Sequence, residues 1–208
     1  MDTEATTKPY HHGELRAALV TVALDILERD GPAALSLRRL ARTVGVSAMA
    51  PYHHFEDRAA LLAAVAAAGF DRLQQRKLDL HAQLSASPKE ALIAGTESYV
   101  RFVLDHPNLY RLMKGAEFAD HARYPDLQRA AAAPAGMLMA ILAELFDGSP
   151  PPMPLSECAQ MLWGLSHGIG TLALDGQIAT QDAEHLARIG ARSMIDGWLT
   201  RDARAEPR

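Results

Sequence analysis

Between Ser36 and Arg58 the chain reads SLRRLARTVGVSAMAPYHHFEDR, a stretch rich in arginines, hydroxyls and rings. Arg38, Arg39, Arg42 and Arg58 can each reach a phosphate oxygen, while the hydroxyls of Ser36, Ser47 and Tyr52 offer uncharged phosphate contacts. Tyr52 and His53 carry groups that hydrogen-bond a base edge, Ala48, Met49 and Ala50 carry methyl groups suited to thymine, and His54 belongs to the same patch. An outward Met, Tyr and His on a short helix of low charge suits a DNA major groove better than a solvated surface. The chemistry these types support is non-covalent recognition of double-stranded DNA.

Two short helices joined at one glycine must position these groups. Leu37, Leu40, Ala41 and Val44 recur at helical spacing and line one face. Ser36 is placed to cap this helix, Gly45 tolerates the positive φ just past its end, and Ser47 is the next cap after the apolar plug Val46. In the second helix Pro51 and Phe55 share the inward face, which turns Ala48, Met49, Tyr52 and His53 outward. Small Ala41 lets the pair cross steeply, so the spacing predicts a helix-turn-helix. A hairpin used only for packing explains the apolar spacing but not the arginines, Tyr52 and His53.

The flanking elements support that unit. Leu15, Leu19, Val22, Ala23, Ile26 and Leu27 predict a helix from about Glu14 to Asp30, closed by Gly31-Pro32, that covers the back of the pair. After Phe55, the acidic Glu56-Asp57 suits a helix amino terminus, and Leu61, Leu62, Val65 and Leu73 carry a long helix to about Leu84. Such a helix is a natural lever between a head and a body.

The run from Leu15 to Leu62, with SLRRLARTVGVS, PYHHF and EDRAALL in that order, resembles the amino-terminal DNA-binding domain of the TetR family of transcriptional repressors. The resemblance implies that Arg58 contacts phosphate and that Lys8 lies in a basic arm of the kind some members use on the minor groove. It also marks a departure. Pro51 stands where a larger apolar residue such as Leu is common in the family, and predicts a recognition helix that begins later or winds tighter.

Composition sets wider bounds. With 208 residues, 49% hydrophobic and 22% charged, the chain can bury one substantial core or two modest ones. A net charge of −4 argues against indiscriminate nucleic-acid binding but permits a local basic face. The apolar stretches are short of a membrane span and the first residues lack a signal-peptide core, so the expected location is cytoplasmic, with no membrane partner. The single Cys158 forms no intramolecular disulfide and reads as a small buried residue. Adjacent His11 and His12 do not share a helical face, so no metal site and no cofactor is expected from them. An enzyme remains an alternative from another class, motivated by nine histidines, yet there is no HExxH and no repeated Glu-x-x-His pair. A dimeric protein-interaction module is the third reading.

Ser85-Ala86-Ser87-Pro88 reads as a boundary, because Ser87 and Glu90 form a capping-box pattern and Pro88 suits the first helical position. The expected organisation is therefore all-α, with a three-helix DNA-binding head at 9–56, a connecting helix at 57–84 and a helical ligand-binding and dimerisation domain at 85–201. Helices are predicted from about Pro88 to Asp105, from Pro107, from Tyr124-Pro125 to about Phe146 with Pro134 as an interruption, from Leu155 to Leu174 and from Ala183 to Leu199. HPNLYRLM at 106–113 resembles a stretch of TetR-family ligand domains, and Trp163, His167, Gly168 and LALDG resemble a WHG-type carboxy-terminal domain.

Two uses compete for this second domain. Gly164, Gly168, Gly190, Leu165, Leu172, Leu186 and Trp198 read as a surface for a second copy of the chain. Phe102, Tyr110, Met113 and Phe118, with Met137, Ile141, Trp163 and His167, are the candidate lining of a small-molecule pocket. Together with the head they lead to a homodimeric, ligand-responsive repressor. It would read a palindromic operator with half-sites roughly 34 Å apart, or a multiple of that, and be released by a small, largely apolar effector.

Overall fold

Ser36 Oγ accepts the backbone N–H of Arg39 at 3.2 Å, and Gly45 ends the same helix at φ 79°, so both signals read from the sequence are used. The computed structural model describes residues 12–84, 86–115, 118 and 123–202. Lys8, His11 and the tail beyond Asp202 lie outside the described residues. Among those described, the chain forms eight α-helices and no strand: α1 (His12–Asp30), α2 (Leu37–Val44), α3 (Arg58–Leu84), α4 (Pro88–Asp105), α5 (Pro107–Met113), α6 (Pro125–Leu145), α7 (Leu155–Leu174) and α8 (Thr180–Asp202). Single turns of 3₁₀ helix occupy Pro32–Ala34 and Ala50–His53. No helix of the described residues is long and apolar enough to cross a membrane.

The second element of the helix-turn-helix departs from a regular α-helix. A helix capped at Ser47 would make its first intrahelical bond from the N–H of residue 51, and proline has none. The chain answers with successive tight turns: Ala50 N–H donates to Ser47 O at 3.0 Å, Tyr52 N–H to Met49 O at 3.1 Å and His54 N–H to Pro51 O at 3.0 Å. Pro51 and Phe55 are buried beneath this turn, and Arg16 of α1 lies 5.5 Å over the Phe55 ring.

Elsewhere the termini follow from local chemistry. Asp57, not Glu56, caps α3 by accepting the N–H of Ala60 at 2.7 Å. Ser87 caps α4, with Pro88 in its first turn, but Glu90 does not close the box. Its carboxylate instead takes two hydrogen bonds from Arg192 of α8, at 3.0 and 2.9 Å. The turn at Ser87 divides two helices without dividing the packing. One apolar cluster runs from Leu19, Leu27 and Leu40 through Phe55, Leu61 and Phe70 to Tyr99, Phe102, Leu109 and Met113. The head therefore has no core of its own, and α3, about 40 Å long at 1.5 Å per residue, passes through the shared one. A second cluster joins α4, α6, α7 and α8 around Leu142, Leu162 and Ile195, and includes buried Cys158. Helix α6 passes through Pro134 unbroken, and α8 starts at Thr180, earlier than the apolar pattern suggests.

Gly69 sets how closely α5 lies on α3. A Cβ there would stand 2.7 Å from Met113 Sδ and 2.9 Å from Leu109 Cδ1, inside van der Waals contact. Gly136 in α6 is a helical glycine with open space at the same position. Gly69→Ala is expected to lose about 1–2 kcal/mol, overpacking outweighing the gain in helix propensity, while Gly136→Ala gains about 0.5–1 kcal/mol. Urea denaturation of the two variants checks the difference in sign.

Candidate functional site

The head presents its exposed groups on one tip. Met49 is 63% and Tyr52 42% exposed, large values for such side chains, and Ala48 and His53 are exposed beside them. Ala50 and His54 are half-buried. The four flanking arginines fall into two classes. Arg38 and Arg42 are exposed and make no ion pair or hydrogen bond among the described residues. Arg39 is tied to Asp30, whose carboxyl is held down to about 2 by hydrogen bonds from Arg29 and then Arg39. Arg58 donates from Nε to Leu35 O at 3.0 Å and from Nη2 to Pro32 O at 2.6 Å, fastening the start of α3 to the corner between α1 and α2. Ser36 Oγ accepts from Arg39 N–H, and its own hydroxyl proton remains for a phosphate oxygen. Ser47 is exposed at the entry to the tight turn.

In the body, α3, α4, α5, α6 and α7 line a cavity of about 680 Å³. Phe102, Tyr110, Met113 and Trp163 line it, while Ile141 lines a smaller adjoining pocket of about 40 Å³. Phe118 packs edge-on against Tyr124, and Met137 accepts a hydrogen bond from Gln74 Nε2 at 3.5 Å; neither is in the cavity wall. His167 stands one layer behind it. Burial raises the pKa of Tyr110, whose hydroxyl shares hydrogen bonds with His167 Nδ1 at 2.7 Å and Thr171 Oγ1 at 3.1 Å. Burial and neighbouring Lys114 both lower the His167 pKa, which favours the neutral ring. The ring also stacks on Trp163 at 5.2 Å between centroids. The Tyr110–His167 hydrogen bond thus ties α5 to α7, with Trp163 stacked on the imidazole.

Among the wall residues that escape a reading by motif are Lys77, Tyr99 and Lys114. Half-buried Lys77 donates to Pro134 O at 3.3 Å and pairs with no carboxylate among the described residues. Lys114 stands exposed at the rim, its ammonium 5.3 Å over the Trp163 ring and 5.8 Å over Phe70. The Tyr99 hydroxyl lies near Tyr110 and Trp163, yet makes no hydrogen bond of normal geometry among the described residues. A signal for Lys77 does exist in the chain: it falls at i+4 from Leu73 and i+7 from Phe70, a cation on the inward stripe of α3.

Burial lowers Lys77 from its ordinary 10.5 to about 8. Between those values the unfolded chain holds a proton that the folded chain has released, so stability rises with pH across the window. Lys77→Met is therefore expected to be more stable than the wild type near pH 7, with the difference narrowing between about pH 8 and 10.5. Denaturation series of both proteins across this range check the trend.

The model of the tetR family of bacterial regulatory proteins matches residues 19–65, and that of the tetracyclin repressor-like C-terminal domain matches residues 92–194. No curated protein matches the chain. Among solved structures, a protein of unknown function from Rhodococcus sp. RHA1 is 34% identical, with 92% of this chain and 99% of that chain covered and a TM-score of 0.81. A protein from Rhodococcus sp. assigned to the TetR-family transcriptional regulators is 21% identical over 88% of this chain and 98% of its own, with a TM-score of 0.70. The TetR-family regulator PfmR from Thermus thermophilus is 20% identical over 86% of this chain and 97% of its own, with a TM-score of 0.61. The two domain matches meet the two parts of the fold, the arginine-flanked tip and the helices around the cavity. The chain belongs to the TetR family, and is a DNA-binding transcriptional regulator rather than an enzyme.

Proposed function

We propose that the protein is a homodimeric repressor that holds a palindromic operator until a small, largely apolar effector enters the cavity between α3 and α7. The observation that carries this reading is the position of α5. Its carboxyl half, through Tyr110 and Met113, faces the cavity. At its amino end Asn108 Nδ2 donates to Glu28 O of α1 at 3.1 Å, and His106 Nδ1 lies 3.2 Å from Glu28 Oε1. A seven-residue helix is a stiff piece, so a ligand that shifts one end moves the helix on which the head is packed. A coupling of about 1–3 kcal/mol between the two sites suffices to release the operator.

On the head, Arg38 and Arg42 are the cations available for phosphate, and Met49, Tyr52 and His53 the groups available for bases, with Ser36 and Ser47 as uncharged anchors. Arg58 acts in this reading mainly by holding the tip in place through its two carbonyl contacts. The head spans residues 9–56, and the ligand and dimer domain 85–201, joined by α3.

The dimer surface is the outer face of α7 and α8. Met161, Leu172 and Ile189 are exposed there. Gly164 and Gly168 support the same reading, because a Cβ at either would meet nothing in its own chain. Gly170 and Gly190 differ, facing Val103 and Leu165 at 3.1 Å, and Trp198 is buried inside the subunit. Gly190 and Trp198 thus serve packing within the subunit.

Two experiments test these parts separately. Selection of bound duplexes from random DNA is expected to yield a two-fold symmetric motif. The double substitution Arg38→Ala and Tyr52→Ala should weaken binding to it by about a hundredfold without altering the thermal melt. Recovery of no motif would sink the operator reading. Gly164→Arg should sediment as a monomer with an unchanged helical melt and greatly reduced operator affinity; a dimer with full affinity would place the interface elsewhere.

A further inference from the structure

The cavity wall is unusual in its charges. Among the described residues that line it none is acidic, yet it contains Lys77 and Lys114. Neither lysine has a carboxylate partner among the described residues: Lys77 has only the carbonyl of Pro134, and Lys114 only the faces of two rings. Burial disfavours the charge of the Lys77 ammonium, while Lys114 stands at the solvent-exposed rim. A partly dehydrated cation without a partner is costly, and a carboxylate supplied by a ligand would complete it. The rest of the wall suits hydrocarbon, with Phe70, Leu73, Phe102, Met113, Leu138 and Met139. The volume of about 680 Å³ falls within the range of about 300–1,000 Å³ found for small-molecule sites.

We propose that the cavity takes an apolar acid, a single carboxylate on an extended hydrocarbon body, with Lys77 binding the carboxylate and Lys114 closing the rim over it. The inference rests on the effector reading above and narrows it from an apolar molecule to an anionic one. A neutral apolar ligand would leave both ammoniums unpaired, and a cationic one would be repelled by them. Tyr99, with its unbonded hydroxyl in the same wall, is a further donor for a carboxylate.

Titration calorimetry with dodecanoate, dodecanol and dodecyltrimethylammonium, each below its micelle concentration, tests the charge preference on one chain length. The wild-type protein is expected to bind dodecanoate about tenfold or more tightly than dodecanol, as a charge-assisted hydrogen bond requires, and the cation least. The double variant Lys77→Met and Lys114→Met should keep dodecanol binding and lose the preference for the acid. Its thermal melt and retained dodecanol affinity show that fold and cavity are intact. Equal or tighter binding of dodecanol by the wild type would overturn the anionic ligand while leaving the effector reading standing, as would a preference for the acid that survives in the double variant. If none of the three binds, the effector reading falls together with this one.

Discussion

The missing side chain at Gly69 is the constraint on which the arrangement of this protein depends. Leu109 and Met113 fill the space where a Cβ would lie, and this close approach seats α5 on α3. Once seated, α5 does two things at once. It sends Tyr110 and Met113 to the cavity, and it sets Asn108 and His106 against Glu28 at the end of α1. A bulkier residue at this point would lift α5 and loosen both ends together, because packed interiors transmit small displacements rather than absorb them.

Charge is distributed in a way that matches two partners of the same sign. At the tip, Arg39 and Arg58 are consumed by Asp30 and by backbone carbonyls, which fixes the geometry and leaves Arg38 and Arg42 exposed to solvent. Around the cavity, Lys77 and Lys114 are kept from acidic neighbours among the described residues. The acidic excess of the whole chain therefore says little about either place; what matters is which cations are already paired.

Much of the fold was legible because local chemistry sets it. Ser36, Gly45, Ser87-Pro88 and Pro107 each act within a few residues, and the helix ends lie where those residues put them. Pro51 was legible as a disturbance, and its missing N–H explains the 3₁₀ turn that replaces a regular recognition helix. The capping-box partner was not, since Glu90 is drawn to Arg192, about a hundred residues later, where no local pattern points. Between α3 and α4, where the sequence reads as a domain boundary, the main apolar cluster has members on both sides. The cavity wall was partly legible. Phe102, Tyr110, Met113 and Trp163 line it, but the lysines do not read as lining, because a charge in a helical pattern reads as a solvated face unless its neighbours in space are known. Phe118 and Met137 have the composition of pocket residues, yet Phe118 packs against Tyr124 and Met137 against the second apolar cluster.

The central claim is that the cavity and the DNA-binding tip form one coupled system, and it can be tested without knowing the natural effector. Trp163 is one of two tryptophans and borders the cavity, so Trp198→Phe leaves it as the sole indole reporter. Its fluorescence should be followed while the selected operator duplex is added, with a scrambled duplex of the same length as control. The account predicts a change in Trp163 emission that saturates with operator occupancy and is absent with the scrambled duplex. An emission spectrum that stays constant while the operator is fully bound would contradict it.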